Sequence, residues 1–395
     1  MQIAKIRYII LLPLIFLYSC DKTTLSPGQA DSFIKYYGIT GPNRGSDVKQ
    51  LPDGGYAVIG TISTLERGTD MCLIITDKYG NSVGSVKSFG GDFDDTGNSL
   101  QVLPDGGLIL LGSYQTGLQG DKDIYLVRTD NKGDTLWTRT YGGAADDIGN
   151  NIQLTGNGDF IIVGYTQSYG NGQKDVLLMK TDNAGKSLWI TPRTFGSTGN
   201  DVGNYVQPVN DGYLIVGSTE STFSNVKSTN IFLIHTNQNG FAVALNNRIG
   251  GDNEDYGNCL QVLSDGNILV AGTTSSFGNG GSDILLLETT PDFSPVWQKT
   301  FGNTSNDFGS SVIASDNNIY ILGTIASIGS SSSMVMITTD MNGESPVQNY
   351  FGGSVQLSGS SFEKTSDNGF IITGTNMFND NSSVTLIKTG CNGKL

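Results

Sequence analysis

The chain repeats one pattern seven times at a spacing of about 52 residues. Each copy is marked by an aromatic or aliphatic residue followed by glycine: Tyr37-Gly38, Phe89-Gly90, Tyr141-Gly142, Phe195-Gly196, Ile249-Gly250, Phe301-Gly302 and Phe351-Gly352. Repeats of this length that are built of short strands pack as a radial array of four-stranded sheets, because one unit cannot bury its own faces. The repetition therefore predicts an all-β fold, a seven-bladed β-propeller.

The second copy shows the four strands of one blade most clearly. Its apolar and alternating runs predict strands at residues 98–103, 108–111, 124–129 and 135–141, with a loop at 113–122. In every copy the second strand ends on glycine, which predicts a bend or a close approach to the neighbouring blade: Gly60, Gly112, Gly164, Gly217, Gly272, Gly323 and Gly374. The large rings of the fourth strands are expected to pack blade against blade, and they include Trp137, Trp189 and Trp297.

The two ends of the chain predict how the array closes. The seventh copy stops at Leu395 after a third strand and a turn, so it lacks a fourth strand. Residues 32–37 resemble a fourth strand, because Phe33 stands four residues before the marker Tyr37, as Trp137 stands before Tyr141 and Trp297 before Phe301. We therefore expect residues 32–395 to form a ring closed by the N-terminal strand, which completes the last blade and removes exposed sheet edges. An open solenoid is the alternative.

The residues before the repeats predict a lipid anchor. Residues 1–19 carry two basic residues and then a short apolar run, which is typical of a secretory signal peptide. Leu17-Tyr18-Ser19-Cys20 resembles the lipobox of bacterial lipoproteins, in which the signal is cut before a cysteine that becomes lipidated with palmitate-type chains. The resemblance implies a lipidated Cys20 and a lipid anchor in the bacterial cell envelope, at the outer membrane. The polar residues that follow, with Pro27 and Gly28, predict a flexible tether at residues 20–31. An ordinary signal peptide is the alternative.

Charge and composition narrow the classes of partner and chemistry. The formal net charge is −14, so the surface repels the phosphates of nucleic acids, and no nucleic acid partner is expected. The chain has one histidine, His235, which argues against a catalytic triad and a histidine–metal centre. Cys72 falls in an apolar column of the repeat and is expected to be a packed thiol. The protein is expected to be monomeric.

The connection from one blade to the next carries a recurring acid. This connection shares one face of the ring, the upper face, with the loop between the second and third strands. The acid becomes Asn43 in the first copy and Leu357 in the last, and the other five are Asp95, Asp147, Asp201, Asp255 and Asp307. We expect these carboxylates to accept backbone N–H bonds and to organise the turn; a ring of carboxylates that holds Ca²⁺ is the alternative. No other metal or cofactor is expected.

The upper loops between the second and third strands vary most, and variable loops on a rigid scaffold are where specificity usually lies. Their aromatic residues could stack on sugar rings, anchor a partner protein or pack within the loop: Tyr169, Phe223 and Phe277. Three upper-face acids stand outside the recurring column, namely Glu66, Glu220 and Glu254, and the first two are expected to be solvated. No catalytic residue is assigned, because a catalytic residue is usually singular and the recurring acid is not.

The repeat resembles a known group of propellers. Its order of aromatic-Gly-Gly, acids, Asp-Gly-Gly, apolar-Gly-Thr and Lys-Thr-Asp is similar to the repeats of secreted proteins and lipoproteins of Bacteroidetes-type bacteria. That group mostly lacks an assigned activity, so the resemblance implies the fold and an envelope location and no catalytic residues. Repetition without a singular polar cluster favours a surface-anchored module that binds or scaffolds a glycan or a protein. An extracellular hydrolase acting on glycans or peptides through the upper face is the alternative.

Overall fold

The computed structural model describes residues 32–38, 40–64, 68–117, 121–223, 226–326, 331–352 and 356–395. In these segments 28 strands form seven four-stranded antiparallel sheets, the blades of a seven-bladed β-propeller, which confirms the predicted fold. No helix in the same segments is long and apolar enough to cross a membrane.

The strands run from the centre of the ring outwards within each blade. Blade 1 consists of β2–β5 (Arg44–Gln50, Tyr56–Thr64, Gly68–Thr76, Lys87–Phe89), and blade 2 consists of β6–β9 (Thr96–Val102, Leu108–Gln115, Lys122–Thr129, Thr135–Tyr141). Blade 3 consists of β10–β13 (Asp147–Leu154, Phe160–Thr166, Asp175–Thr181, Arg193–Phe195). Blade 4 consists of β14–β17 (Asp201–Val209, Gly212–Phe223, Val226–Asn237, Ala242–Ile249). Blades 5 and 6 are β18–β21 (Asp255–Val262, Ile268–Thr274, Asp283–Thr289, Pro295–Phe301) and β22–β25 (Phe308–Ser315, Asn318–Ala326, Ser332–Asp340, Val347–Phe351). Blade 7 combines β26 (Gln356–Lys364), β27 (Phe370–Phe378) and β28 (Asn381–Thr389) with β1 (Phe33–Tyr37) from the other end of the chain.

Strand β1 closes the ring as predicted. It pairs antiparallel with β28, from Phe33 opposite Lys388 to Tyr37 opposite Val384, and so forms the outer edge of blade 7. The Tyr37 hydroxyl also donates to the Gly80 carbonyl of blade 1 at 2.6 Å. The N-terminal strand therefore joins the last blade to the first.

Every pair of neighbouring blades buries its own hydrophobic cluster, and seven such clusters lie between the described blades. Between blades 1 and 2, for example, Ile59 and Leu73 pack against Leu100 and Leu110. Both faces of each sheet are covered, which accounts for the continuous apolar runs in the second and third strands. Cys72 lies in such a run and is fully buried, and burial raises the pKa of its thiol to about 12.

The glycine predicted to end each second strand lies inside the strand, as Gly112 does in β7, so the predicted strand ends are wrong. This glycine faces a β-bulge in the first strand of its own blade. In blade 2 the register shifts between Gly97 and Ser99, opposite Gly112. A Cβ at Gly112 would lie 1.7 Å from the Thr96 carbonyl oxygen, so a larger residue cannot occupy this position. The predicted close approach is confirmed, and the neighbouring blade takes part through the Gly97 backbone, where a Cβ would lie 2.4 Å from the Gly60 oxygen.

The outer strands dock on the next blade through their large rings. Trp137 lies against the turn glycine Gly185, where a Cβ would come within 2.9 Å of the ring. Trp297 on β21 makes the same contact with the next blade at Gly343. Trp189 also contacts the next blade, at Gly240, but its predicted place on a fourth strand is wrong, because β13 begins only at Arg193. The expected blade-to-blade packing of these rings is therefore present.

Candidate functional site

The five recurring acids line the upper face as buried turn residues, each with a fully buried side chain. Each carboxylate accepts the backbone N–H of the residue four positions earlier at 2.5 to 2.8 Å. In two blades the second oxygen accepts an N–H from the end of the second strand: Gln115 donates to Asp95 at 2.7 Å, and Ala326 donates to Asp307 at 2.8 Å. In these two blades the acid therefore links the connection between blades, through hydrogen bonds, to the end of the second strand.

A second acid accompanies the first at four junctions between blades, and sequence reasoning did not identify it as a site. It opens the third strand, and its members are Asp70, Asp123, Asp175 and Asp283. The sequence pattern that could have identified it is an Asp two residues before the repeat position that Cys72 occupies in the first copy. In blade 4 the position of this Asp holds Asn230 instead.

The two acids of a junction meet at the first glycine of the repeat marker. A Cβ at Gly90 would lie 2.4 Å from Asp95 Oδ2 and 2.6 Å from Asp70 Oδ1. A Cβ at Gly302 would lie 2.3 Å from Asp283 Oδ1 and 2.5 Å from Asp307 Oδ2. At these two junctions a side chain at the marker position would therefore collide with both carboxylates.

Burial and like charge act together on these acids. Burial raises the pKa of Asp95, and the nearby Asp70 carboxylate adds to the effect while backbone N–H groups oppose it. Burial also raises the pKa of Asp283, with a further contribution from Asp307. The upper face thus holds carboxylates in an environment that disfavours their full ionisation.

Blade 4 breaks the repetition of the upper face. Its second and third strands, β15 and β16, are 12 residues each and continue as a two-stranded arm, with Glu220 opposite Thr229 and Phe223 opposite Val226. A pocket of about 520 Å³ lies at the foot of this arm between blades 3, 4 and 5. Its charged and aromatic lining consists of Lys174, Glu220, Lys227, Glu254 and Tyr256. The expectation that no singular polar cluster exists is therefore wrong.

Glu220 is not solvated as expected, because neighbouring groups hold it in the pocket wall. Its side chain is 13% exposed and forms an ion pair with Lys227, whose side chain is 70% exposed. The Asn200 amide donates to Glu220 Oε2 at 2.6 Å, and the Glu220 N–H donates to the Asn200 carbonyl at 2.8 Å. The carboxylate thus ties the arm to the connection that enters blade 4.

The opposite wall of the pocket presents a tyrosine and the second glutamate. The Tyr256 hydroxyl donates to Glu254 Oε2 at 2.8 Å, and Tyr256 remains 38% exposed. Burial and the Glu254 carboxylate raise the pKa of Tyr256, so its hydroxyl stays protonated and able to donate. The Lys174 ammonium lies 4.1 Å from the centroid of the Tyr165 ring at the pocket edge. The pocket therefore offers both signs of charge beside an exposed ring.

The three predicted loop aromatics do not form one site, since they belong to blades 3, 4 and 5. Tyr169 is 38% exposed, and its hydroxyl donates to the Gly142 carbonyl at 3.3 Å. Phe277 is half-buried, and its ring approaches Gly251 as the Tyr169 ring approaches Gly143. Phe223 ends β15 at the tip of the arm, and its side chain lies outside the described part of the structure. Cys20 and Glu66 also lie outside the described residues.

The central channel is lined by a polar girdle, in which side chains of one inner strand hydrogen-bond the inner strand of the next blade. The bulged residue of one blade donates to the first-strand glycine carbonyl of the next blade, as in Asn98 to Gly149 at 2.8 Å and Asn258 to Gly309 at 2.7 Å. The cavity of about 310 Å³ inside this girdle contains Asp47, Lys49 and Glu363 from blades 1 and 7.

The charges in the channel join the blades at the closing junction. The Asp47 carboxylate accepts Ser361 Oγ of blade 7 at 2.7 Å and Ser99 Oγ of blade 2 at 3.1 Å. Burial lowers the pKa of Lys49, but Asp47 and Glu363 outweigh this effect and hold the pKa above its usual value. In four other blades the position equivalent to Lys49 and Glu363 is a glutamine. The change from glutamine to a charged residue at 49 and 363 was therefore a signal for this charged site, and sequence reasoning did not use it.

Comparison with known proteins shows the fold and no family. No protein-family model matches the chain. The chain is 25% identical over 250 residues to the regulatory protein FlaEY of Caulobacter vibrioides; the match is 53% of this chain and 26% of that protein. The chain thus spans about a quarter of the length of this curated relative.

Three solved structures are similar over nearly the whole chain. YCF48 bound to D1 peptide has a TM-score of 0.56 at 11% identity and covers 90% of this chain and 96% of that chain. The β-propeller domain of the Trilobed protease from Pyrococcus furiosus, described as having an open velcro topology, has a TM-score of 0.51 at 11% identity and covers 91% and 96%. Sqt1 from Chaetomium thermophilum has a TM-score of 0.50 at 12% identity and covers 91% and 100%. At these identities the likeness shows a propeller fold alone.

Within the described segments, no group of three or more histidine, cysteine, aspartate or glutamate residues could hold a metal ion. The upper face offers two candidate features, the repeated acid pairs and the pocket at the foot of the blade-4 arm. The charged channel at the centre of the ring is a third.

Proposed function

We propose that this protein is a lipid-anchored propeller of the bacterial cell envelope that binds a segment of another protein in the pocket at the foot of the blade-4 arm. The single observation that carries this proposal is the departure of blade 4 from the repeat. Six blades share short upper hairpins or modest extensions, whereas blade 4 alone in the described chain builds two 12-residue strands and a mixed-charge pocket. Specificity on a repeated scaffold resides where the repetition ends.

The arm suits an extended peptide. Strand β14 pairs with β15 only as far as Thr219, and β17 pairs with β16 only as far as Ile231. Beyond these two residues, β15 and β16 pair only with each other among the strands of the blade, so each has an outer edge that no strand of the blade covers. Unpaired backbone groups on an exposed edge accept an added strand, and nearby side chains select its sequence. Glu254, Lys227 and Tyr256 supply two charges and one ring for that selection. The peptide in the YCF48 structure supports a protein ligand over a glycan.

Site-specific crosslinking tests the proposal. A photo-crosslinking residue in place of Lys227 reports on the arm, and the same residue in place of Met377, which is 49% exposed on the upper face of blade 7, is the matched control. We expect position 227 to crosslink to an envelope protein in intact cells and position 377 not to do so. The combined change Tyr256→Ala and Glu254→Gln should abolish the crosslink.

Equal crosslinking from the two positions, or crosslinking that survives the pocket variant, would contradict the proposal. Crosslinks to polysaccharide would assign a glycan ligand in its place. The folded state of each variant is checked by its thermal unfolding midpoint.

One observation favours the second candidate, an extracellular hydrolase. Glu220 and Glu254 line the same pocket with Tyr256 beside them, and a pair of carboxylates flanked by a ring is the arrangement that glycoside hydrolysis uses. This function predicts that the purified protein releases reducing sugar from an envelope glycan and that Glu254→Gln lowers the rate at least about 100-fold. An unchanged rate in that variant would exclude a role for Glu254.

The proposed lipid anchor is at the N-terminal end of the chain, at Cys20. The resemblance of residues 17–20 to a lipobox, the signal-like residues 1–19 and the Bacteroidetes-type repeat support lipidation at Cys20 and location at the outer membrane. Metabolic labelling with an alkyne analogue of palmitate should mark the wild type and leave Cys20→Ser unlabelled. Outer-membrane fractions should contain the wild type and lack the variant.

A further inference from the structure

We propose that the paired carboxylates at the junctions of blades 1 and 2 and of blades 5 and 6 bind Ca²⁺, one ion at Asp70–Asp95 and one at Asp283–Asp307. These sites are separate from the ligand pocket of blade 4. They would make the upper face of the ring dependent on an extracellular cation.

The geometry of the pairs is the first support. At each of the two junctions one oxygen from each Asp lies within 2.6 Å of a single point, the Cβ position of the marker glycine. The two oxygens are therefore within about 5 Å of each other, a separation that one Ca²⁺ ion spans with ligand distances of about 2.4 Å. The glycine leaves this space between the carboxylates free of a side chain.

The second support is that one oxygen of each pair has no partner. Asp70 is 2% exposed and Asp283 is 1% exposed, yet the Oδ1 atoms of both accept no hydrogen bond within the described part of the chain. These are the same atoms that face the partner carboxylate across the marker glycine. A buried carboxylate oxygen without a donor is costly, and a cation removes the cost.

The two acids occur together at four of the five junctions that carry the first acid, and at the fifth Asn230 stands opposite Asp255. Where the first acid is replaced by Leu357 or Asn43, the position of the second is Ser333 or Ser383. A residue that only capped its own turn would have no reason to vary together with a residue 24 to 26 positions away in the sequence. The acids therefore act as pairs, and the pair is the unit that a cation requires.

Ca²⁺ fits these ligands because it prefers carboxylate, carbonyl and water oxygens and tolerates irregular geometry. Two carboxylates completed by water give weak binding of the extracellular type, with a dissociation constant of about 10⁻⁴ to 10⁻³ M. Such affinity suits a protein outside the cytoplasm.

Isothermal titration of the purified full chain with CaCl₂ tests the proposal, with NaCl of equal ionic strength as the blank. We expect a stoichiometry of two or more that falls by one in Asp70→Asn and by one in Asp283→Asn. Asn230→Asp, which creates a new pair with Asp255, should add one site. The unfolding temperature of the wild type should rise with millimolar Ca²⁺ and return after chelation.

Absence of binding heat together with an unfolding temperature that ignores Ca²⁺ would overturn the proposal and assign a shared proton to each pair. A stoichiometry that stays the same in both asparagine variants would place any bound Ca²⁺ elsewhere. If one variant fails to fold, the gain of a site in Asn230→Asp and the wild-type unfolding temperature still decide the outcome.

Discussion

Single residues set the geometry of the upper face through contacts that are distant in sequence. The repetition of glycine and of the first acid is visible in the chain, and both columns could be predicted. The close approach of two acids at the glycine could not be predicted. Asp70 and Asp95 reach Gly90 from different blades, and the distance between their carboxylates depends on how the blades pack. The second acid was missed for the same reason, since one Asp before an apolar run looks like an ordinary strand start.

Substitution of the marker glycine tests this contact. In Gly302→Ala the new methyl would lie 2.3 Å from Asp283 Oδ1 and 2.5 Å from Asp307 Oδ2, so the carboxylates must move apart. We expect the free energy of unfolding in urea to fall by about 2 kcal/mol. The matched control is Gly156→Ala, where a Cβ meets nothing within 4 Å. Equal effects of the two changes would refute the close approach.

The charge of one pair has a defined pH dependence. The folded-state pKa of Asp283 is raised by burial and by Asp307, so the folded protein binds this proton more tightly than the unfolded chain. Stability from this group is therefore present at low pH and is lost as the pH rises through the folded pKa. In a chelator, Asp283→Asn should be more stable than wild type at pH 8 by about 1 kcal/mol, the repulsion of two nearby charges in a water-like medium.

That difference should shrink as the pH falls toward the raised pKa of Asp283, because protonation of the folded wild type removes the repulsion. Urea unfolding at a series of pH values measures it, and the exposed Asp380→Asn serves as the control. A gap between Asp283→Asn and wild type that does not change with pH would show that the two carboxylates do not repel each other.

At the scale of strands and hairpins, the sequence predicted where each strand lies better than where it ends. In blade 2 the expected loop at 113–122 is shorter, because β7 and β8 continue pairing to Gln115 opposite Lys122. The extension of blade 4 is rich in serine, threonine, asparagine and charged residues, and its two apolar residues, Phe223 and Val226, give no periodicity that would predict a strand. Backbone pairing alone builds the arm, so its length and the pocket at its foot could not be inferred.

The arm can be removed without the blade. Replacing residues 221–228 by a two-residue turn should leave the unfolding temperature within about 3 °C of wild type, because the arm extends beyond the hydrophobic clusters of blade 4. The crosslink from the pocket, now placed at position 256, should disappear. A matched shortening of the blade-7 hairpin at 378–381 should keep the crosslink. Loss of folding in the blade-4 variant would show that the arm is part of the core.

At the scale of the whole molecule, closure is the feature that the sequence predicted most fully. The number of repeat copies predicted the number of blades, and the missing fourth strand of the last copy matched the extra strand at the amino end. The channel was not predicted, because its charges at Asp47, Lys49 and Glu363 come from opposite ends of the chain and depart from the repeat. Each of the seven hydrophobic clusters is built by two neighbouring blades, and together the clusters close the ring, so the blades are expected to unfold together.

The most direct test of this account is urea unfolding of a variant that loses the closing contacts of β1. In Phe33→Ser with Tyr37→Ser, the ring contact of Phe33 with Tyr56 at 6.1 Å and the hydroxyl bond to Gly80 are removed. We expect one cooperative transition that is less stable than wild type by about 4 kcal/mol. The control Tyr36→Ser, at a side chain that is 46% exposed, should change stability by less than about 0.5 kcal/mol. Equal stability of the double variant and this control would contradict a ring closed by its N-terminal strand.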